Sequence, residues 1–183
     1  MLVIGICGQI GSGKDTVADY LVREKGYVKI AFADTLKDAV SAIFGWDRDM
    51  ISGITPESRE WREKVDEWWS KRLGIPHLTP RWVLQNFGTD VCRQHFHQDI
   101  WLASLEKRLS TINAPGAVIS DCRFPNELEW VANCGWPYRR ISLSRGVAKA
   151  ASHVSEQILT GDFHINNDGT LEELYAAVDA AIN

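Results

Sequence analysis

Five short apolar runs, separated by stretches with helical spacing, organise the 183-residue chain. The first run, 2–7, is long enough for one buried parallel strand, and Val17 and Leu21 behind it lie four residues apart, as on one face of a helix. The other four runs also predict strands: 27–32, 116–121, 138–143 and 163–166. Strands that alternate with helices in this way predict an α/β fold with a five-stranded parallel sheet and helices on both sides.

Cap residues mark where several of the helices begin. Thr55-Pro56 and Thr79-Pro80 each join an N-cap residue to a proline at the first helical position. Thr170 and Glu173 form a capping-box pattern ahead of a final helix, and Asp34 is expected to cap the helix after the second strand. Apolar residues keep helical spacing in the helix after Asp34, at Leu36, Val40 and Ile43. The helix after Pro56 is expected to pack by an aromatic stripe of Trp61, Val65, Trp68 and Trp69, and the final helix to have a buried face of Leu171, Leu174, Val178 and Ile182.

Two segments stand out within a single predicted domain, 1–183. Residues 45–112 carry helical signals and no strand pattern, so we predict a helical lobe inserted between the second and third strands, a natural place to hold a substrate. Residues 145–161 are mostly small and polar, which favours a lid over the cleft. Its candidate chemical groups are Arg145, His153 and Glu156.

The stretch between the first strand and the first helix reads GQIGSGKDT, residues 8–16. Glycines let successive backbone N–H groups turn inward, and the helix N-terminus adds positive potential where phosphates would bind. Lys14 would reach the β- and γ-phosphates as a point charge. A glycine-rich turn that binds nothing is the alternative, but the strand, loop and helix context favours a nucleotide phosphate-binding loop. Its predicted ligand-binding residues are Gly11, Ser12, Gly13, Lys14, Asp15 and Thr16.

One position departs from the usual phosphate-loop pattern. The residue after the lysine is normally Ser or Thr, whose hydroxyl ligates Mg²⁺, and here it is Asp15. A carboxylate can hold the same ion, either directly or through a water molecule. Asp121 ends the third predicted strand, where nucleotide-binding proteins with a phosphate loop carry the acid of the Mg²⁺ shell. We therefore predict a Mg²⁺ site at Asp15 and Asp121.

Further candidates lie where a ligand cleft is expected. Asp34 and Lys37 follow the second strand, and the carboxyl ends of parallel strands are where α/β proteins bind ligands. Arg81 stands at a helix start, where it gains nothing from the helix dipole, so a substrate phosphate would explain it. Arg123 lies two residues past Asp121, where a guanidinium could fork onto a phosphate. A cap, a solvated side chain or a salt bridge is the structural alternative for each.

Composition narrows the class of protein. A formal net charge of −4 argues against a nucleic-acid-binding surface. The four cysteines show no CxxC pairing and are expected to be free thiols in a reducing cytoplasm. The apolar run at 2–7 is too short for a signal peptide or a membrane span, so no membrane partner is expected. Cys92, His95 and His97 lie close in sequence but lack a fourth ligand nearby, so we do not predict a zinc site.

Four motifs, taken in their order along the chain, indicate a narrower class of protein. They are Gly11–Thr16; Arg81 with Leu84-Gln85 and Gly88-Thr89-Asp90; Ser120-Asp121 with Arg123; and the run from Asn167 to Leu174. Together they resemble the deoxynucleoside monophosphate kinases of tailed bacteriophages. The likeness runs from residue 1 to about residue 178 and is strongest at these motifs and at the chain ends.

The resemblance implies a P-loop kinase that transfers the γ-phosphate of ATP to a deoxynucleoside 5′-monophosphate with Mg²⁺, in the host cytoplasm if phage-encoded. Arg81 and Arg123 would hold the acceptor phosphate or the migrating phosphoryl group, Arg145 would be a lid arginine, and Asn167 would lie near the adenine. The acceptor site would also contain Asp34, Lys37, Gln85, Asp90 and Glu127. Its partners would be these small molecules, and a homodimer stays open.

Three other interpretations of the motifs are open. Dephospho-coenzyme A kinase shares the Gly-Ser-Gly-Lys loop, and Asp34 could supply the base that a hydroxyl acceptor needs. Phosphomevalonate kinase of the animal type shares Gly-Lys-Asp and a run like His153-Val154-Ser155-Glu156. A nucleotide-dependent switch or assembly ATPase would hydrolyse ATP without an acceptor.

Overall fold

The computed structural model describes residues 1–146 and 159–183, and a parallel sheet of five strands is its centre. The strands are β1 (Leu2–Gly8), β2 (Val28–Ile30), β3 (Gly116–Ile119), β4 (Tyr138–Ser144) and β5 (Phe163–Asn166). Their order is β2-β3-β1-β4-β5, and each neighbouring pair is parallel. The predicted α/β fold and its five strands are confirmed.

The central strand β1 is buried on both faces. Ile4 and Ile6 join a core built with α1 (Lys14–Lys25) and α9 (Leu171–Ile182). These two helices also meet through the rings of Tyr20 and Tyr175, which stack with centroids 4.1 Å apart. On the opposite face, α8 (Pro125–Asn133) packs so closely on β1 that a Cβ at Gly5 would lie 2.9 Å from the Val131 side chain. Helices therefore cover both sides of the sheet, as predicted.

The chain divides into two compact units, one formed by 1–32 with 105–183 and the other by 33–104. The first contains the sheet. The second is helical, and its elements are α2 (Asp34–Phe44), α3 (Arg48–Ser52), α4 (Pro56–Trp61), α5 (Glu67–Leu73), α6 (Pro80–Gln85) and a π-helix (Asn86–Phe96). The next helix, α7 (Ile100–Leu109), spans the limit between the units. The predicted insertion, 45–112, falls largely in the helical unit.

The helical unit has an aromatic centre. Phe44 stacks on Trp46 with ring centroids 4.4 Å apart, and Trp61 and Trp69 each meet this pair edge-on. Burying aromatic rings against one another supplies a large apolar area from few residues. Three of the six tryptophans between residues 33 and 104 are thereby used for packing.

Several local predictions were wrong, and each has a physical reason. The expected single helix after Pro56 is two, α4 and α5, because Asp66 caps the second through the Trp69 N–H and also accepts the Trp46 indole N–H. Asp34 begins α2 without capping it, since the N-cap residue is Ala33. Leu171 is 54% exposed and does not belong to the buried face of α9, and Trp68, at 63% exposed, lies outside the predicted packing stripe.

The helix that begins at Pro80 continues in a form that the sequence did not reveal. After Gln85 the backbone adopts π-helical hydrogen bonding as far as Phe96. Gly88 lies inside this stretch, where a Cβ would come within 2.6 Å of the Leu36 side chain. The π-helix therefore packs closely on α2 at a position that only glycine fills without displacing that side chain.

No helix in the ranges 1–146 and 159–183 is long and apolar enough to cross a membrane.

Candidate functional site

The loop between β1 and α1 is shaped by three glycines. Gly8, Gly11 and Gly13 have φ angles of 143°, 83° and 99°, a region that side chains disfavour. A Cβ at Gly8 would lie 2.3 Å from the Leu143 carbonyl oxygen, so the chain needs glycine there. The Ser12 N–H donates to the Gln9 carbonyl oxygen at 3.1 Å and closes the loop. The loop thus leads into the N-terminus of α1, where helices favour negative charge.

Lys14 is folded over this loop. Its Nζ donates to the carbonyl oxygens of Gly8 at 2.7 Å and Gln9 at 2.8 Å. Burial lowers the pKa of Lys14 below its ordinary value, and the nearby Arg123 guanidinium lowers it further. Lys14 and Arg123 therefore concentrate positive charge at the mouth of the loop, as an incoming polyphosphate requires.

Asp15 and the end of β3 come together. The Ser120 hydroxyl donates to Asp15 Oδ1 at 3.3 Å, and the next residue, Asp121, accepts the Phe32 N–H at 3.0 Å. Asp15 also pairs with Lys29 Nζ at 3.0 Å. Burial raises the pKa of Asp15, but Lys29 and Ser120 outweigh burial and bring it below its ordinary value. Asp15 is therefore an anion at the entrance to the loop, and Lys29 is a neighbour that sequence reasoning missed.

Arg123 is held by the first turn of α8. The carboxylate of Glu127 is buried and accepts the backbone N–H groups of Arg123 at 2.7 Å and Phe124 at 3.1 Å. The Arg123 side chain itself is exposed. Glu127 thus accepts hydrogen bonds from the backbone that positions Arg123, and its place in the acceptor site stays a prediction. The capping pattern of a Glu three residues after Phe124 was the signal for this role.

Asn167 forms a hydrogen bond to the backbone of the phosphate loop. Its side-chain amide is buried and donates to the Ser12 carbonyl oxygen at 3.0 Å, and its backbone N–H donates to Ser144 at 2.8 Å. The place near an adenine that the resemblance implies for Asn167 stays a prediction. Thr16, in the first turn of α1, is half-buried.

The predicted lid begins beside this support. Arg145 is exposed just after β4, and the N–H of the following Gly146 donates to Asp168 Oδ1 at 2.6 Å. Most of the predicted lid, with His153 and Glu156, lies outside the described residues.

The remaining candidates belong to the helical unit. Asp34 pairs with Arg48 at 3.4 Å, Arg81 pairs with Glu63, and Asp90 accepts the Asn86 side-chain amide at 3.1 Å. Arg81 is thus ion-paired and exposed, which differs from a freely solvated cation. Lys37 is half-buried in α2, and Gln85 is exposed at the end of α6.

Comparison with known proteins shows that the chain is similar to members of one enzyme family. Residues 74–178 match the family model described as deoxynucleotide monophosphate kinase. The whole chain is 32% identical to a protein of Acanthamoeba polyphaga mimivirus whose name assigns it to the deoxynucleotide monophosphate kinases, and 97% of that relative is covered. A deoxynucleoside-5′-monophosphate kinase of Escherichia phage T5 is 26% identical over 70% of each chain.

Solved structures agree on the fold. Shikimate kinase from Aquifex aeolicus superposes with a TM-score of 0.50, covering 98% of this chain and 95% of that one at 13% identity. A likeness at this level of identity concerns the arrangement of strands and helices alone.

Proposed function

The chain belongs to the deoxynucleotide monophosphate kinase family, and on that premise we propose that it transfers the γ-phosphate of ATP to the 5′-phosphate of a deoxynucleoside monophosphate. The products are ADP and the deoxynucleoside diphosphate. The observation that supports this proposal is the glycine-rich loop at 8–16, where Lys14 lies over the loop and the Arg123 guanidinium is close enough to lower its pKa.

This phosphoryl transfer depends mainly on correct positioning of ATP and the acceptor phosphate. An anionic oxygen of the acceptor phosphate attacks the γ-phosphorus, and the bond from that phosphorus to the oxygen it shares with the β-phosphate breaks, so the electron pair leaves with ADP. Because the nucleophile already carries charge, no strong general base is required. Lys14 would leave the carbonyls of Gly8 and Gln9 and follow the transferred group, and Arg123 would neutralise charge that develops on it.

Mg²⁺ fits the acidic side of this site. The ion prefers hard oxygen ligands, and Asp15 and Asp121 offer carboxylates beside the hydroxyl of Ser120. When bound, Mg²⁺ neutralises charge on the β- and γ-phosphates. We propose that Asp15 and Asp121 hold it, directly or through water, with the hydroxyl of Thr16 nearby in the first turn of α1.

The acceptor would be held by the helical unit. We propose that Arg81 exchanges Glu63 for the acceptor phosphate, since both side chains are exposed and a surface ion pair is weak. Asp34, Lys37, Gln85 and Asp90 are the proposed polar groups for the deoxyribose and base. Arg145, ahead of the predicted lid, would contact the transferred phosphate after closure.

One plate of assays tests the proposal. ADP release from Mg·ATP is followed with each deoxy- and ribonucleoside monophosphate, and separately with dephospho-coenzyme A and phosphomevalonate. Stimulation by one or more deoxynucleotides is expected. Stimulation by another acceptor alone would assign the chain a different kinase activity, and an equal rate with every acceptor and with none would indicate an ATPase.

A further inference from the structure

Lys29 joins two carboxylates of α1. Its Nζ lies 3.0 Å from Asp15 Oδ1 and 3.0 Å from Asp19 Oδ1. These aspartates are four residues apart, so they project from the same side of the helix, and β2 brings the lysine to them. A single ammonium therefore links the second strand to the entrance of the phosphate loop.

The first of these carboxylates stands in an unusual place. A phosphate loop normally has a neutral hydroxyl at the position of Asp15, immediately after the lysine. Here the same position carries a negative charge, close to where the phosphates of a nucleotide would bind. Like charges repel, so an uncompensated carboxylate would oppose nucleotide binding until a cation balanced it.

A cation that can compensate the charge of Asp15 lies beside it. The ammonium of Lys29 lies within hydrogen-bond distance of both Asp15 and Asp19, and its own side chain is about one third exposed. The hydroxyl of Ser120, just after β3, donates to the same oxygen of Asp15 at 3.3 Å. The carboxylate of Asp15 is thus contacted by an ammonium from β2 and by a hydroxyl just after β3.

We propose that Lys29 is a positioning residue of the phosphate-binding site, which offsets the charge of Asp15 and so lets a loop with a carboxylate at this position accept nucleotide phosphates. The effect is strongest without a divalent ion, because a bound Mg²⁺ supplies positive charge at the same carboxylate. This inference rests on the proposed function, since it requires nucleotide at the loop.

The test measures ADP binding by titration calorimetry in EDTA, where neither metal nor turnover contributes. Lys29→Met keeps the apolar stem and removes the charge, and we expect the Kd for ADP to rise about tenfold or more. Lys29→Arg should restore most of the affinity. With saturating Mg²⁺ the difference between wild type and Lys29→Met should shrink.

Testing Lys29→Met in a chain that lacks the Asp15 carboxylate separates charge compensation by Lys29 from a merely structural role. In an Asp15→Ser chain there is no carboxylate to offset, so adding Lys29→Met should leave the Kd for ADP nearly unchanged. The matched control is Asp19→Asn, which removes the other partner of Lys29 and should preserve ADP binding. Lys29→Gln provides a second neutral side chain if Lys29→Met does not fold.

Two results would overturn the inference, and they are distinguishable. Equal loss of ADP affinity in the wild-type and Asp15→Ser backgrounds, or no loss in either, would refute the role of Lys29 alone. Failure of the wild-type chain to bind ADP with or without Mg²⁺ would refute the proposed function and this inference together.

Discussion

The side-chain amide of Asn167 donates a 3.0 Å hydrogen bond to the carbonyl oxygen of Ser12, and this bond ties the chain before α9 to the phosphate loop. Both groups are buried. The glycines alone therefore do not hold the loop in its conformation, because a segment distant in sequence also contacts the loop backbone. Preorganised backbone donors are what a phosphate-binding loop requires.

Asn167→Ala should weaken the loop. It leaves a buried carbonyl without its donor, which costs about 1–3 kcal/mol of unfolding free energy. We expect the Tm to fall by a few degrees and the KM for ATP to rise several-fold. Thermal unfolding and steady-state kinetics measure both, and Asn166→Ala, at the exposed neighbouring position, is the control. An unchanged Tm and KM in Asn167→Ala would show that the bond does not support the loop.

Gly13→Ala should damage nucleotide binding beyond its effect on stability. Gly13 has a φ of 99°, and a Cβ there would lie 2.4 Å from Asn167 Nδ2. The matched control, Gly74→Ala, carries the strain of a positive φ of 68° with nothing within 4 Å. We expect the affinity for ADP to fall about tenfold or more in the first variant alone, since both share the backbone penalty of roughly 1–3 kcal/mol. Equal ADP affinity in the two variants would contradict this.

Arg81 and Arg123 are predicted to act on phosphates. Each change to Ala should cut kcat by about 10²-fold or more, because charge on the transferred group loses a partner. Glu63→Gln separates this role from the ion pair, since it frees Arg81 of its partner and keeps the guanidinium. That variant, and Arg72→Ala on the exposed surface, should retain near-normal kcat. Near-normal kinetics for both Arg81→Ala and Arg123→Ala would place the acceptor elsewhere.

Cys7 should be chemically inert in the folded protein. Burial raises the pKa of its thiol to about 11, despite the opposing charge of Lys14. At pH 8 the reactive thiolate is then scarce, so alkylation by iodoacetamide should be at least about 10²-fold slower than in the unfolded chain. Peptide mass spectrometry after timed labelling measures both rates. Rapid modification of Cys7 under native conditions would show that β1 is not buried as described.

Much of the sheet could be predicted from sequence because its signals are local. The five apolar runs correspond to β1–β5, and the capping box at Thr170 and Glu173 marks the start of α9. The phosphate loop was equally visible, since the glycines that permit its φ angles and the lysine that follows are adjacent in the chain.

The errors arose where tertiary contacts decide the local structure. Asp66 ends one helix and starts another while it also accepts the indole N–H of Trp46, twenty residues away in sequence. The π-helix at 86–96 has no distinctive apolar period, and its close packing on Leu36 is not visible along the chain.

The supporting residues of the site were missed for the same reason. Lys29 is an ordinary lysine in a short strand until the fold brings it to Asp15. Glu127 was visible as a polar residue near Arg123, but its burial, which directs its carboxylate to the backbone, follows from packing. Sequence therefore identified the groups suited to touch phosphates, and the structure supplies those that hold them in place.

The most direct test of the central claim follows the label of [γ-³²P]ATP in the presence of Mg²⁺ and a mixture of deoxynucleoside monophosphates. We expect the label to appear in a deoxynucleoside diphosphate, and to be lost from that product by at least about 10²-fold in Lys14→Ala, with Lys64→Ala as an exposed control. Label found only in inorganic phosphate, or transfer that survives Lys14→Ala, would contradict phosphoryl transfer at this loop.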